Sequence, residues 1–466
     1  MAAVRGAFAM FPDRRKGKNK RYTMVDAALS AFAVFFTQSP SWLAHQKAME
    51  KARGKSNALT LFRVAGIPTE NRVRDLLDPL SPRLLDTAFA RLFRLLEEAG
   101  VLAGYTGVGG MRLIALDGTQ FHASDCIHCA ACTVKRHANG RVSYSHTAIT
   151  PVLVAPGEPR AIPLRPEFVV PQDGHDKQDC EIAASKRWIQ AQAALLRETP
   201  TALLGDDLYA HNPFCRWALL HACHFIFTCL RESHRATYEY LDLLESRDIR
   251  RVRAKKKDKS GHAETWTIRY ASGVPLSGDG DALAVNWIEL AVTDLAGKET
   301  FRNAWITDIG ITPDNAVDIA ASGRARWVIE NGNNNVLKTK GYHLEHNFGH
   351  GHQNLSTLLA AMNILAFLLH TVLGFTDADY KLVREELPSR ETFFQHVKAL
   401  TTYLCFPSWR AMLDFMMKGL EIGPYLPPEE STSTRQNARK QKSEACPGGY
   451  CALERSAQSK RPFASM

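Results

Sequence analysis

A chain of 466 residues and 51.9 kDa, with 45% hydrophobic and 23% charged residues, has the size of about three domains and the make-up of a folded globular protein. Collagen-like, low-complexity and disulfide mini-protein classes are excluded by that composition. Lys and Arg (58) outnumber Asp and Glu (48) for a net charge of +10, which favours a polyanionic partner, and ten cysteines read as reduced thiols, some available to a metal.

The basic residues at 14–21 precede an apolar run at 27–36, a pairing that imitates a signal peptide. Asp26 abuts the run, however, and no small-residue cleavage site follows, so the chain reads as soluble. Over 23–103, apolar side chains such as Leu61, Val64, Leu76, Leu92 and Leu96 recur at helical spacing, and Pro68, Pro79 and Pro82 punctuate them. A helical N-terminal domain over 1–110 is predicted.

From 111 the pattern changes. Residues 111–116 form a short apolar run ending at Asp117-Gly118, a strand meeting a turn. Strand-like runs follow at 143–154 and 160–170, then a helix over 180–197 with Ile182, Trp188 and Ile189 on its buried stripe. A buried strand over 201–205 ends at Asp206-Asp207; Asn212-Pro213 opens a helix through 220, and 224–230 is a further strand. The order is that of an α/β core spanning 111–234 and 311–425. Between these halves, 235–310 holds a basic segment (247–259) and β-like pieces at 264–270, 282–293 and 300–307, so a β-rich insertion is predicted. Helix resumes from 313 to about 340. The apolar stretch at 358–375, interrupted by Asn363 and His370, reads as a buried core helix rather than a membrane span. Ser, Gln, Lys and Arg dominate 426–466, where disorder is expected.

Asp117 stands at the end of the first core strand, Asp206 and Asp207 at the end of the fourth, and Glu330 in a polar helix. Adjacent parallel strands place their terminal residues on one sheet edge, where open α/β folds build sites, and a helix packed there brings in the third acid. Three converging carboxylates repel unless cations bridge them, and hard oxygen ligands suit Mg²⁺ or Mn²⁺. Two such ions serve an in-line displacement at phosphorus, and the basic balance points to a nucleic-acid backbone as substrate. Gly332 and Asn333-Asn334-Asn335 are poor helix formers, so that helix depends on outside contacts. Arg326, Asn334 and Lys338 share the face of Glu330 and, with Arg324 and Lys340, are the expected DNA phosphate contacts.

Four segments together resemble the DDE transposases of bacterial insertion sequences, in the insertion-sequence-four-like superfamily. They are Leu116-Asp-Gly-Thr119, the residues 172–181, Gly205-Asp-Asp-Leu-Tyr209, and 323–346 around Glu330. The resemblance runs from about 11 to 373 and implies an RNase H-like core with Asp117, Asp206 and Glu330 as the Mg²⁺-binding catalytic triad. Asp206 is preferred to Asp207 because the family has an aromatic three positions after the acid, here Tyr209. The family's Tyr position before the Arg holds Gly323, and its Lys position holds Leu337 with Lys338 one further on. The resemblance further implies double-stranded DNA as partner (the element's terminal inverted repeats and target DNA), a homodimer that pairs two ends, and a cytoplasmic location without a membrane. The 1–110 domain would bind DNA ends or serve assembly. The alternatives are a nuclease without strand transfer and a catalytically silent DNA-binding regulator; the presence of all three acids disfavours the latter.

Cys126, Cys129 and Cys132 have the spacing of a zinc half-site, which His122, His128 or His137 could complete; His128 with the three cysteines is the set expected to hold a structural Zn²⁺. His343, His346, His350 and His352 crowd around Gly349 and Gly351 and are expected to serve packing or DNA contact.

Overall fold

The computed structural model describes residues 1–16, 20–50, 56–171, 177–245, 247–258 and 260–423. The tail expected to be disordered, from 426 onward, lies outside the described residues, as does 172–176 in the second of the family-like segments. The fold is mixed α/β, with one large mixed sheet and helices on both of its faces.

The N-terminal helices do not form a core of their own. Helix Met24–Phe36, capped by Thr23 and Asp26 in a reciprocal box, is buried on nearly every side and packs against helix Leu355–Thr376. Asn57 donates from its amide to the Thr401 and Leu404 carbonyls, and the Trp409 indole to the Leu61 carbonyl. The boundary expected at 110 therefore separates segments that share one hydrophobic core. Among the described residues, Leu355–Thr376 is the helix long and apolar enough to cross a membrane, and 83% of its apolar window is buried within the protein. Asp78 fixes its entry by accepting from the backbone N–H groups of residues 352 to 355 at 3.0–3.2 Å.

The strands, in chain order, are β1 (Arg112–Ala115), β2 (Gly118–Ser124), β3 (Thr133–Arg136), β4 (Val142–Ile149), β5 (Val152–Ala155), β6 (Glu158–Pro163) and β7 (Glu167–Phe168). They continue with β8 (Thr201–Gly205), β9 (Cys223–Thr228), β10 (Arg250–Lys257), β11 (Ala263–Pro275), β12 (Ala284–Thr293) and β13 (Glu299–Thr307). Nine of them make the large sheet, ordered β10-β11-β12-β13-β9-β8-β1-β5-β6, while β2, β3, β4 and β7 make a small second sheet. β8 lies parallel to β1 and to β9, and the other neighbours in the large sheet are antiparallel.

Several expectations need correction: the strand expected over 160–170 is β6 and β7, which belong to different sheets, and the helix expected over 180–197 is two, Lys177–Ala191 and Ala193–Glu198. The single strand expected over 143–154 is two strands, because Thr150-Pro151 breaks it: proline cannot donate to a ladder, and the chain crosses there from the small sheet to the large one. The basic segment from 250 to 257 is itself a strand, the edge of the large sheet, with its Arg and Lys side chains mostly exposed. The stretch expected as a β-rich insertion holds β10 to β13, which extend the core sheet through the β13–β9 pairing.

The sheet is buried on both faces, and strand parity divides it. Leu113 and Ala115 of β1, with Ala202 and Leu204 of β8, face a cluster that includes Ile319, Ala320 and Ile329. Ile114, Leu116 and Leu203 face the opposite cluster, with Trp188 and Phe214.

Candidate active site

Register and parity bring the first two acids together. Ala115 of β1 pairs with Leu204 of β8, and the Leu116 N–H donates to the Leu204 carbonyl at 2.8 Å. Each chain then ends, two residues on, in an aspartate: Asp117 and Asp206. These have the parity of Ala115 and Leu204, so both belong to the face covered by Ile319 and Ile329. Asp207 has the other parity. Its carboxylate accepts from the Leu230 N–H at 2.7 Å, lies 3.2 Å from His234 Nε2 and also bonds Ser233, a network of its own. Asp206 caps the following turn through the Leu208 N–H at 3.1 Å. That turn requires Gly205, since a Cβ there would lie 2.6 Å from the Tyr209 ring.

The third acid comes from the helical segment that covers this face. The single helix expected from 313 to 340 is interrupted: Ala316–Ala325 is α-helical, Ile329–Asn334 is a π-helical turn, and Asn335–Thr339 returns to α. Gly332 allows the turn to sit against β6, where a Cβ would come within 2.9 Å of the Pro159 carbonyl. Wider turns of this kind recur at functional sites because they re-aim side chains without ending the helix. Here the turn presents Glu330, half-exposed and paired with Arg326 at 2.6 Å.

Burial first, and then the neighbouring Asp206 charge, push the Asp117 carboxyl up to about 6. Arg326 opposes the rise, whereas Glu181 and Glu330 add to it. Asp206, Glu181 and Glu330 therefore all act electrostatically on Asp117, against the Arg326 guanidinium. Such a set of hard oxygen donors fits a divalent cation, which would relieve the repulsion the carboxylates otherwise impose on one another.

Glu181 is the acid that sequence reasoning missed. It lies on the helix Lys177–Ala191, which covers the other sheet face, and reaches the site past Gly118. A Cβ at 118 would fall within 2.6 Å of both Glu181 carboxylate oxygens. Its signal was a charged side chain adjoining the buried stripe of that helix.

The expected DNA contacts divide. Asn334 is 9% exposed and turned inward: its amide donates to Asp117 Oδ2 at 2.7 Å, and its carbonyl accepts from Thr150 Oγ1 at 2.9 Å and Asn333 Nδ2 at 2.8 Å. The expectation of a phosphate contact gives way there to one of holding the first acid. The Arg324 guanidinium lies over the Trp266 and Phe301 rings of the insertion, 3.6 Å from Glu264, and is likewise occupied. Lys338 pairs with Glu345 at 2.8 Å. Lys340 is exposed, and Arg326 is half-buried beside the acids. Trp327, 57% exposed next to Arg326, was not anticipated; a large aromatic left in water beside a charged site was its only signal.

Of the expected zinc ligands, Cys129 and Cys132 approach each other, and the imidazoles beside them are His146 and His350. Cys126 is exposed and His128 stacks on Tyr144 at 4.2 Å, both outside that group. His137 bonds Ser143 at 2.8 Å, and His122 Nε2 lies 3.2 Å from the Ile127 carbonyl. Among the described residues, His343, His346 and His352 join no such group.

Neither a protein-family model nor a curated protein matches the chain. Among the solved structures that match is a piggyBac transposase synaptic complex with hairpin DNA, determined by cryo-EM. It covers 97% of this chain and 82% of that one, at 10% sequence identity and a TM-score of 0.36, a likeness too loose to carry an argument about chemistry.

Proposed function

We propose that the chain is a DDE transposase of the bacterial insertion-sequence type, which cuts the ends of its own element and joins the freed 3′ hydroxyls to target DNA. The convergence of Asp117, Asp206 and Glu330 on one side of the β1–β8 pair carries the reading, since each comes from a different element and burial alone would disfavour their assembly. The order β6-β5-β1-β8-β9, antiparallel on one side of β1 and parallel on the other, supports an RNase H-like core. The exposed basic edge β10 supports a DNA partner, with charges suited to a phosphate backbone.

In this reading Asp117, Asp206 and Glu330 hold Mg²⁺ or Mn²⁺, with Glu181 adding negative charge alongside. The metal, when bound, supplies activation of the attacking oxygen and stabilisation of the leaving one. The chain's own groups do the rest. Asn334 aims the Asp117 carboxylate, Arg326 offers its guanidinium to a phosphate as well as to Glu330, and exposed Trp327 presents a face on which a base can stack. A homodimer on DNA, which would pair two ends, and a cytoplasmic location belong to the same proposal.

The test uses purified full-length chain with double-stranded DNA that includes the sequences flanking its own coding region. With Mg²⁺ present, 3′-strand nicks and joined products are expected. Glu330→Gln should retain the gel shift and lose both products. Nicks without joining would favour a nuclease, binding without nicks a silent regulator, and wild-type cleavage by Glu330→Gln would remove Glu330 from the site.

A further inference from the structure

Away from the carboxylates, two thiols and two imidazoles meet in the corner between the small sheet and the segment that enters helix Leu355–Thr376. We propose that Cys129, Cys132, His146 and His350 bind one Zn²⁺ in a tetrahedral structural site, stapling the small sheet to that segment.

The dimensions are those of a tetrahedral cage. Zn–S bonds of about 2.3 Å and Zn–N bonds of about 2.0 Å give cage edges of about 3.8 Å between two sulfurs and about 3.5 Å between sulfur and nitrogen. Cys129 and Cys132 have their sulfurs 4.0 Å apart; His146 Nε2 is 3.5 Å from the first and 3.4 Å from the second; His350 Nε2 is 3.4 Å from Cys132 Sγ. All four ligand atoms lie within 4.8 Å of one another. The sulfur separation is about twice the 2.05 Å of a disulfide, so the thiols are spaced for a shared ion and not for each other.

Groups around the cage prepare it. The Cys129 N–H points to Cys132 Sγ at 3.5 Å, the arrangement that stabilises a thiolate, and the Cys132 N–H closes the turn onto the Cys129 carbonyl at 3.2 Å. His350 Nδ1 donates to the Gly351 carbonyl at 3.0 Å, which leaves the Nε2 lone pair directed at the sulfurs. Gly351, at φ +69°, permits that turn of the chain. The Phe121 ring stacks on His146 at 5.7 Å with 10° between planes and holds its orientation. Cys132 and His146 are each 2% exposed and His350 6%, so three of the four ligands are closed to water, while Cys129 at the rim is half-buried. Two thiolates and two neutral imidazoles neutralise Zn²⁺, and the buried assembly carries no net charge.

The site ties residues 218 positions apart in the chain. β2 begins directly after Asp117, and β4 ends directly before Thr150, which holds Asn334. Zinc here would fix the sheet that leaves the acid cluster at Asp117 and returns beside it at Thr150, whose N–H donates to the Asp117 carbonyl at 3.0 Å. The ligand geometry of this corner is independent of the proposed activity.

The test is metal content of the full-length chain, purified without chelator and without a metal-affinity tag. About one equivalent of zinc per chain is expected, because structural zinc is held tightly. Exchange into Co²⁺ should produce the intense visible absorption of tetrahedral cobalt together with sulfur-to-metal charge transfer. Cys132→Ser and His350→Ala should lose the metal, while Cys126→Ser and His128→Ala keep it. Should the first two variants fail to fold, the cobalt spectrum of the unaltered chain still decides. No zinc above trace, an octahedral cobalt spectrum, a Cys129–Cys132 disulfide by mass, or metal retained by His350→Ala and lost by Cys126→Ser would each overturn the proposal.

Discussion

Replacing Asn334 by leucine isolates the contribution of the inward-turned amide. The side chains have similar volumes, so little cavity opens, but three hydrogen bonds disappear: those with Asp117 at 2.7 Å, Thr150 at 2.9 Å and Asn333 at 2.8 Å. The bond to ionised Asp117 contributes about 1.5–3 kcal/mol and the two neutral ones about 1 kcal/mol each, so about 3–5 kcal/mol is at stake. Asn333 is fully buried, and its orphaned amide gains no water in return. Urea denaturation followed by tryptophan fluorescence reads the loss as a lower midpoint. Asn335→Ala, at an exposed neighbour, should stay within about 0.5 kcal/mol of wild type and controls for a change in helix sequence. At a temperature where the leucine variant remains folded, Mg²⁺-dependent cleavage should fall as well, because the Asp117 carboxylate has lost its aim. A loss of stability below about 1 kcal/mol would refute the claim that Asn334 is a partner of Asp117.

Asp206→Asn should abolish metal-dependent strand cleavage at equal DNA occupancy while Asp207→Asn leaves part of it; the opposite pattern would move the ligand to Asp207. Gly118→Ala should lower cleavage by about tenfold or more, equivalent to about 1.4 kcal/mol, as the new Cβ drives Glu181 aside. Wild-type rates in that variant would show that the position of Glu181 is immaterial. Burial pushes His45 down to about 3, so between that value and the unfolded value near 6.5 the unfolded chain binds the additional proton. Stability therefore falls as pH drops through this window, by about 2 kcal/mol at pH 5 from this residue, and His45→Gln should show a correspondingly shallower acid loss in pH-dependent denaturation. An unchanged slope would mean that His45 is not buried in its neutral form.

Short-range pattern made much of this protein legible from its residues. Apolar runs closed by Asp-Gly and Gly-Asp-Asp mark strand ends, and period-two parity separates Asp206 from Asp207 before any neighbour is known. The weak helix formers at Gly332 to Asn335 announced that the Glu330 segment would lean on outside contacts, as it does through β6 and Asp117. What local pattern does not contain is the choice of distant partner. Helix Met24–Phe36 is equally apolar whether it packs within its own domain or, as here, on Leu355–Thr376. The basic strand β10 reads as solvated charge until β11 supplies a ladder along its full length. Glu181 and Asp117 become neighbours only because Gly118 lets a helix from the opposite face of the sheet come close. The cysteines likewise lie beside His146 and His350, not His128, because strand pairing and the entry to helix Leu355–Thr376 converge on that corner. Element type follows from side-chain periodicity over a few residues, whereas a site follows from which buried faces exclude water together, and the packed chain alone makes that selection.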